Sequence, residues 1–233
     1  MAIIEVTDLR KTYNSGDVSV NAVDGATFEI EKGEISIIVG HSGAGKTTIL
    51  NILGGMDVPT SGKVVIEGKD IAKRSKKHLA LYRRHSVGFV FQFYNLIQNL
   101  TVLENVELAA QICKYPLDPL DVLRDVGLEH RIKNFPSQLS GGEQQRVSIA
   151  RSLAKKPKLM LCDEPTGALD YNTGKSILQL LQKMSQKYEM TVILITHNMA
   201  IAPMGNRVIT VKSGKIEKIV LNDSPASIER IEW

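Results

Sequence analysis

A chain of 233 residues is long enough for one large α/β domain, or for a core with a subdomain, around a substantial apolar interior. Its 43% hydrophobic and 23% charged content is that of an ordinary soluble globule, and a net charge of +4 is too small for a dedicated nucleic-acid binder. Cys113 and Cys162 lack metal-ligand spacing and suit a reducing compartment, no apolar run approaches a membrane span, and the first residues lack the pattern of a signal peptide.

Residues 2–39 read as β-rich, with apolar or alternating runs at 3–6, 18–23 and 26–30. Asn14-Ser15-Gly16-Asp17 and Glu31-Lys32-Gly33-Glu34 punctuate them as turns. The run 35–39 predicts a short buried strand, and 48–53 predict a helix. Between them Gly40-His41-Ser42-Gly43-Ala44-Gly45-Lys46-Thr47 completes the pattern G-x-x-x-x-G-K-[ST]. Glycines let successive backbone N–H groups turn inward around a phosphate, and the helix start adds partial positive charge. Lys46 would reach the β- and γ-phosphates and the Thr47 hydroxyl would ligate Mg²⁺. The chain is therefore expected to bind a nucleoside triphosphate.

Strands follow at 63–68 and 87–91, the second ending at Gln92. Between them lies the densest basic run, Lys73, Arg74, Lys76, Lys77 and His78 with Arg83, Arg84 and His85. It reads as a solvated face, with an acidic partner or anionic lipid as the lesser alternative. From 93 to 139 helix-like patterns at 102–112 and 120–126 alternate with Pro116, Pro119, Gly127 and Pro136, which predicts a small inserted helical subdomain. The core, 1–92 and 140–233, resumes with a helix at 142–154, a strand at 159–162, a helix at 173–187, a strand at 191–195 and a β tail at 207–220. Such alternation predicts a mostly parallel, doubly wound sheet.

Two further stretches carry chemistry. The apolar strand 159–162 delivers Asp163 and Glu164 at its carboxyl end, where open α/β sheets bind ligands. Asp163 would hold Mg²⁺ through its water shell while Glu164 polarises the attacking water. In Leu139-Ser140-Gly141-Gly142-Glu143-Gln144-Gln145-Arg146, Ser140 suits an N-cap and the glycines permit close approach, making a second anion-receptive helix start. With only one phosphate-loop lysine, a nucleotide site would use both helix starts if they converge, within one chain or across two.

These strings, in this order and spacing, resemble the motifs of ATP-binding-cassette (ABC) ATPases over nearly the whole chain. The resemblance makes Tyr13 the aromatic that stacks on adenine and Gln92 the glutamine that senses Mg²⁺ and the membrane partner. Ser140, Gly141 and Gly142 match the signature, Asp163 and Glu164 the Walker B pair, Ala168-Leu169-Asp170 the D-loop, and His197 the switch histidine. It implies an α/β P-loop NTPase core with a mostly parallel sheet, an N-terminal antiparallel β subdomain and an inserted α-helical subdomain. ATP would be held by Tyr13, by Gly40 to Thr48 (including Thr48 itself), by Ser140 to Gly142 and by Asp170; Mg²⁺ by Thr47, Gln92 and Asp163; and Lys46, Gln92, Glu164 and His197 would serve catalysis.

The stretches Phe89-Val90-Phe91-Gln92-Phe93-Tyr94-Asn95-Leu96, Leu100 to Val106 and Asp163 to Asp170 resemble the lipoprotein-releasing, macrolide-exporting and antimicrobial-peptide-resistance cassettes. Asn198 stands where Asp is usual, Tyr171 where a small residue is commoner, and 114–121 looks short. The resemblance implies an ATP-hydrolysing subunit that drives export or extracytoplasmic release by an integral membrane permease, peripheral on the cytoplasmic face of the membrane. It also implies an ATP-dependent head-to-tail homodimer and no nucleic-acid partner. The permease is expected to dock on Phe93, Tyr94, Leu96 and Ile97. An importer subunit and a soluble ABC ATPase acting on nucleic acid or the ribosome are the alternatives. The intact Lys46, Glu164 and His197 speak against a non-enzymatic cassette.

Overall fold

Alternating apolar residues draw the start of the chain into a long antiparallel ribbon. The computed structural model describes residues 2–16 and 18–232, so Asp17, at the end of the first predicted turn, lies outside the described residues. Strand β1 (Ala2–Ser15) pairs with β2 (Val18–Glu31), Ala2 opposite Glu31 and Ser15 opposite Val18. The runs expected at 18–23 and 26–30 form one strand, because Gly25, at φ 75°, takes up a bulge instead of ending it.

The chain divides into two compact units, residues 1–82 with 191–233 and residues 83–190. In the first, β4 (Ser61–Ile66) adds antiparallel to β1 and the two-residue β5 (Lys69–Asp70) to β4. A parallel layer is built on β3 (Ile35–Val39), which pairs with β8 (Thr191–Thr196) on one side and β9 (Arg207–Lys212) on the other. The antiparallel β10 (Lys215–Leu221) completes it. β3 and β8 are buried along their whole length, as strands covered on both faces must be, so they read as continuous apolar runs. A buried ion pair, Arg207 Nε to Glu34 Oε1 at 2.8 Å, ties β9 to the start of β3. Helix α1 (Lys46–Leu53) leaves the end of β3. Much of the basic run forms helix α2 (Lys76–His85), anchored by buried Leu79 and by Tyr82, whose hydroxyl donates to the Leu53 carbonyl at 2.9 Å.

The second unit sets β6 (Val87–Phe91) parallel to β7 (Leu159–Asp163), Phe91 opposite Asp163. Helix α5 (Gly141–Ala154) packs on β6 and on α3 (Val102–Gln111), α4 (Pro119–Asp125) and α6 (Tyr171–Tyr188). Local chemistry starts each helix: Thr101 with Glu104 and Ser140 with Glu143 form capping boxes, Asp118 caps α4 ahead of Pro119, and Asp170 caps α6. Both cysteines are free thiols, Cys113 half-buried and Cys162 fully buried in β7. Among the described residues no helix is long and apolar enough to cross a membrane.

One buried amide shapes the segment after β6. Asn105 on α3 donates through Nδ2 to the carbonyls of Ile97 (3.1 Å), Leu100 (3.0 Å) and Thr101 (3.0 Å), and its Oδ1 accepts from Ile97 N (2.9 Å). Asn105→Leu keeps the volume but strands these backbone groups, at about 1–3 kcal/mol for each one left buried. The expected result is a loss on the order of 3 kcal/mol in urea unfolding with an unchanged m-value. A variant as stable as the parent would show that the 97–101 segment does not rely on this side chain.

Candidate active site

A helix whose first N–H groups have no side-chain cap is open to an anion, and α1 begins in that way. Its N-cap is Gly45 in a left-handed conformation, which has no side chain to cap the helix, and the first turn contains no acid. The preceding loop is held by backbone: Ala44 N donates to His41 O at 3.1 Å and Gly214 N to Ala44 O at 2.9 Å. Side-chain-free positions are obligatory at two points. A Cβ on Gly40 would run into the Val211 carbonyl oxygen, and one on Gly45, at φ 101°, into that of Ala22. His41, Ser42, Gly43 and Thr47 are exposed, Ala44 is buried and Thr48 half-buried. Lys46 is buried, its ammonium donating to the carbonyls of Gly40 (2.8 Å) and His41 (3.0 Å). The loop, the Val20 to Ala22 stretch of β2 and Ser213-Gly214 line one cavity of about 430 Å³.

Tyr13 stands in the same unit, on β1. Its hydroxyl donates to Asp57 Oδ2 at 2.7 Å and also meets the Thr48 side chain at the start of α1. The Lys11 ammonium lies 4.8 Å from the ring centroid and is itself bonded to Asp57 Oδ1 at 2.7 Å. Partial burial and the bond to Asp57 hold the Tyr13 phenol above its ordinary pKa. Burial would raise Asp57, but the bonds from Lys11 and Tyr13 outweigh it and keep the carboxylate ionised below its usual range. His197 is exposed after β8, and Asn198 caps the following 3₁₀ turn by accepting from Ala200 N at 3.0 Å. The departure from Asp at 198 thus preserves a cap.

The second unit gathers the remaining predicted residues. Gln92, Asp163 and Glu164 leave the adjacent ends of β6 and β7 and are half-buried. Glu164 sits at φ 47°, a left-handed conformation uncommon for a residue with a Cβ, and its carbonyl accepts from Gly167 N at 3.0 Å. A Cβ on Gly167 would lie 2.9 Å from Gln92 Nε2, so the glutamine rests on that turn. Tyr94 and Asn95 are also left-handed, at φ 58° and 52°, and Arg151 of α5 donates to both of their carbonyls.

At the start of α5 the Ser140 hydroxyl accepts from Glu143 N at 3.3 Å, while Glu143 Oε2 accepts from Ser140 N at 2.8 Å and Oε1 from Arg131 Nε at 2.9 Å. The bond from the Ser140 amide, with Arg131 assisting, holds the Glu143 carboxyl below its usual range. Gly141 admits the Tyr94 hydroxyl and Gly142 the Thr173 methyl. Asp170 accepts from Thr173 N at 3.1 Å, and the bonds from Thr173 lower its pKa.

One expectation needs correction. Of the four residues expected to form a docking surface, Phe93 and Ile97 are exposed (76% and 39%) and Tyr94 is half-buried, but Leu96 is buried at 8%. It packs inward instead and is not available to a partner. The sequence reading also missed Lys11, Asp57 and Arg151, of which Asp57 and Arg151 reach Tyr13 and Tyr94 from far along the chain, and Gln145, which bonds the carbonyl next to Glu164.

Comparison with known proteins gives one consistent answer. A family model described as ABC transporter matches residues 23–167. The lipoprotein-releasing system ATP-binding protein LolD of Shewanella frigidimarina is 38% identical, over 97% of this chain and 97% of its own length. The macrolide export ATP-binding/permease protein MacB of Hyphomonas neptunium is 42% identical over 92% of this chain, which spans 34% of that longer protein. A dimeric structure of a post-hydrolysis state of the ATP-binding cassette MJ0796, bound to ADP and Pi, superposes with a TM-score of 0.85. It is 39% identical and covers 94% of this chain and 98% of its own. The expected fold, a mostly parallel sheet with an antiparallel N-terminal sheet and helices, is the fold observed.

The two crowded or positive-φ glycines of the loop make a paired test. Gly45→Ala drives its methyl into the Ala22 carbonyl, whereas Gly43→Ala meets nothing within 4 Å and bears only the conformational cost of φ 76°. Gly43→Ala is expected to lose about 1–2 kcal/mol and Gly45→Ala more than about 3, read by denaturant unfolding. Equal losses would mean that crowding at Gly45 is relieved by loop movement.

Proposed function

The chain belongs to the ABC transporter family, and from that membership together with the geometry above we propose how its residues divide the work of ATP hydrolysis. The domain is an ATPase that binds ATP and releases ADP and phosphate. The observation that carries the residue-level reading is Lys46, a buried ammonium at a helix start without a side-chain cap, whose partners among the described residues are two loop carbonyls. Such a group is matched to the β- and γ-phosphates, which can replace those carbonyls with full negative charge. Gly40 to Thr48 supply backbone and hydroxyl donors around them, and adenine stacks on the Tyr13 face opposite Lys11.

Glu164 is the general base. Water attacks the γ-phosphorus as its proton passes to the Glu164 carboxylate, the bond to the bridging oxygen breaks, and ADP leaves phosphate behind. His197 orients that water and the γ-phosphate, and Gln92 reads the state of the site. Thr47, Asp163 and Gln92 carry the hard oxygen donors that Mg²⁺ takes. When bound, Mg²⁺ neutralises charge on the β- and γ-oxygens.

Two chains pair head to tail when ATP is present, each nucleotide lying between Gly40 to Thr48 of one chain and Ser140 to Gly142, with Asp170, of the other. The dimeric cassette among the similar structures supports this reading. The chain acts on the cytoplasmic face of the membrane through an integral membrane permease, driving export or extracytoplasmic release, as the names of its relatives suggest. The permease docks on exposed Phe93 and Ile97 beside Tyr94. In this scheme 1–92 and 140–233 form the nucleotide-binding core and 93–139 the helical subdomain.

Lys46→Ala is expected to abolish ATP binding in a fluorescence titration, since each charge-assisted phosphate contact is worth roughly 1.5–3 kcal/mol. Unchanged affinity would sink the assignment. Glu164→Gln is expected to bind ATP yet hydrolyse it on the order of 10²–10⁴ times more slowly. The same variant should elute as a dimer with ATP and as a monomer without it; a monomer under saturating ATP contradicts the head-to-tail reading.

A further inference from the structure

Helix α5 does more than present its first residues. Gln145 lies less than one turn beyond Gly142 and is fully buried. Its Nε2 donates to the carbonyl of Pro165 at 2.8 Å, across 20 residues of sequence. Pro165 immediately follows Glu164, whose left-handed backbone is closed on the other side by Gly167 N. Gln145 Oε1, in contrast, has no hydrogen-bond partner among the described residues, and neither has Ser148 Oγ one turn further along the same helix.

A buried glutamine with an orphaned acceptor is a poor packing residue, because an aliphatic side chain of similar size would fill the space without that penalty. What glutamine alone supplies here is the donor to Pro165. Turning the amide over would set two oxygens against each other, so its orientation is fixed by the bond.

We propose that Gln145 is a positioning residue that couples the helix start at Ser140-Gly141-Gly142 to the carboxylate of Glu164. A helix moves as a rigid body over three residues, so a displacement at Gly142 reaches the Pro165 carbonyl undiminished and turns the peptide next to Glu164. The inference rests on the head-to-tail reading, and there it has a specific meaning. The helix start of one chain touches the ATP held by the other chain, whereas Glu164 serves the ATP of its own chain. The Gln145–Pro165 bond therefore links the two ATP sites, and hydrolysis at each depends on nucleotide at the other.

Gln145→Leu removes the donor and keeps the volume. It is expected to fold with a melting point lowered modestly by the stranded Pro165 carbonyl, to keep the parent's ATP affinity, and to form the ATP-dependent dimer in the Glu164→Gln background. With Glu164 intact, its kcat should fall at least about tenfold with KM within about twofold, as misplaced rather than absent machinery does. Its Hill coefficient for ATP should fall toward one. Gln145→Glu supplies an independent readout. A protonated glutamic acid donates to the Pro165 carbonyl and an ionised one repels it, so activity relative to the parent should rise as pH falls from about 8 to about 6. A folded Gln145→Leu with the parent's kcat and Hill coefficient overturns the coupling role. If that variant does not fold, a pH-independent activity ratio for Gln145→Glu overturns it. A Glu164→Gln protein that stays monomeric with ATP overturns instead the dimer reading beneath it.

Discussion

A buried ammonium held by two backbone carbonyls is the constraint around which the first unit is arranged. Water is largely excluded from the Lys46 tip, and the Gly40 and His41 carbonyls offset only part of the lost hydration. To place those carbonyls the chain must curl tightly at the end of β3, and it does so pressed against its neighbours. Val211 of β9 stands against Gly40 and Ala22 of β2 against Gly45, so neither position tolerates a side chain. Gly214 then closes the arrangement by donating to Ala44 and accepting from Asp24. The long ribbon, the parallel layer and the β9–β10 turn thus meet at one loop, and each is needed to keep it curled.

The second unit follows a different logic, in which one helix satisfies the loose ends of the others. Strand ends and loops leave carbonyls that need donors. Along α5, Gln144 reaches Leu139 O, Gln145 Pro165 O, Arg146 Val126 O, Arg151 Tyr94 O and Ser152 Phe89 O. Lys155, just past its end, holds Arg83 O and Val87 O and is pushed down to about 8 by burial. This helix is therefore polar on faces that are nonetheless buried. The bends that carry Tyr94, Asn95 and Glu164 in left-handed conformations are held from this side or closed by their own turns, and the conformational cost at each is met by a specific bond.

How much of this could be read from the sequence depended on how local the physics was. The glycine-rich loop between β3 and α1, the capping serine and the apolar strands before Gly40 and Asp163 are set by residues within one turn or one strand, and as elements they lie where expected. Lys11 and Asp57, which fix Tyr13, are brought together only by the pairing of β1 with its neighbours. Arg151 reaches Tyr94 from 57 positions away, and nothing in its helical spacing marks it. The basic run at 73–85 hid a helix because its apolar residues, Leu79 to Tyr82, fall together and give no helical period. Leu96 misled in the opposite direction, since a short loop has no period from which to read which side faces inward.

Tyr13 has a consequence for which nucleotide the subunit would consume. Its hydroxyl is already committed to Asp57 and one face of its ring to Lys11, which leaves a single aromatic surface to receive a base. A flat surface grips by overlap and registers area, not the pattern of donors and acceptors along the edge of a purine. If a base stacks there as proposed, discrimination at this position would be coarse, and other purine triphosphates would be admitted alongside ATP according to their supply.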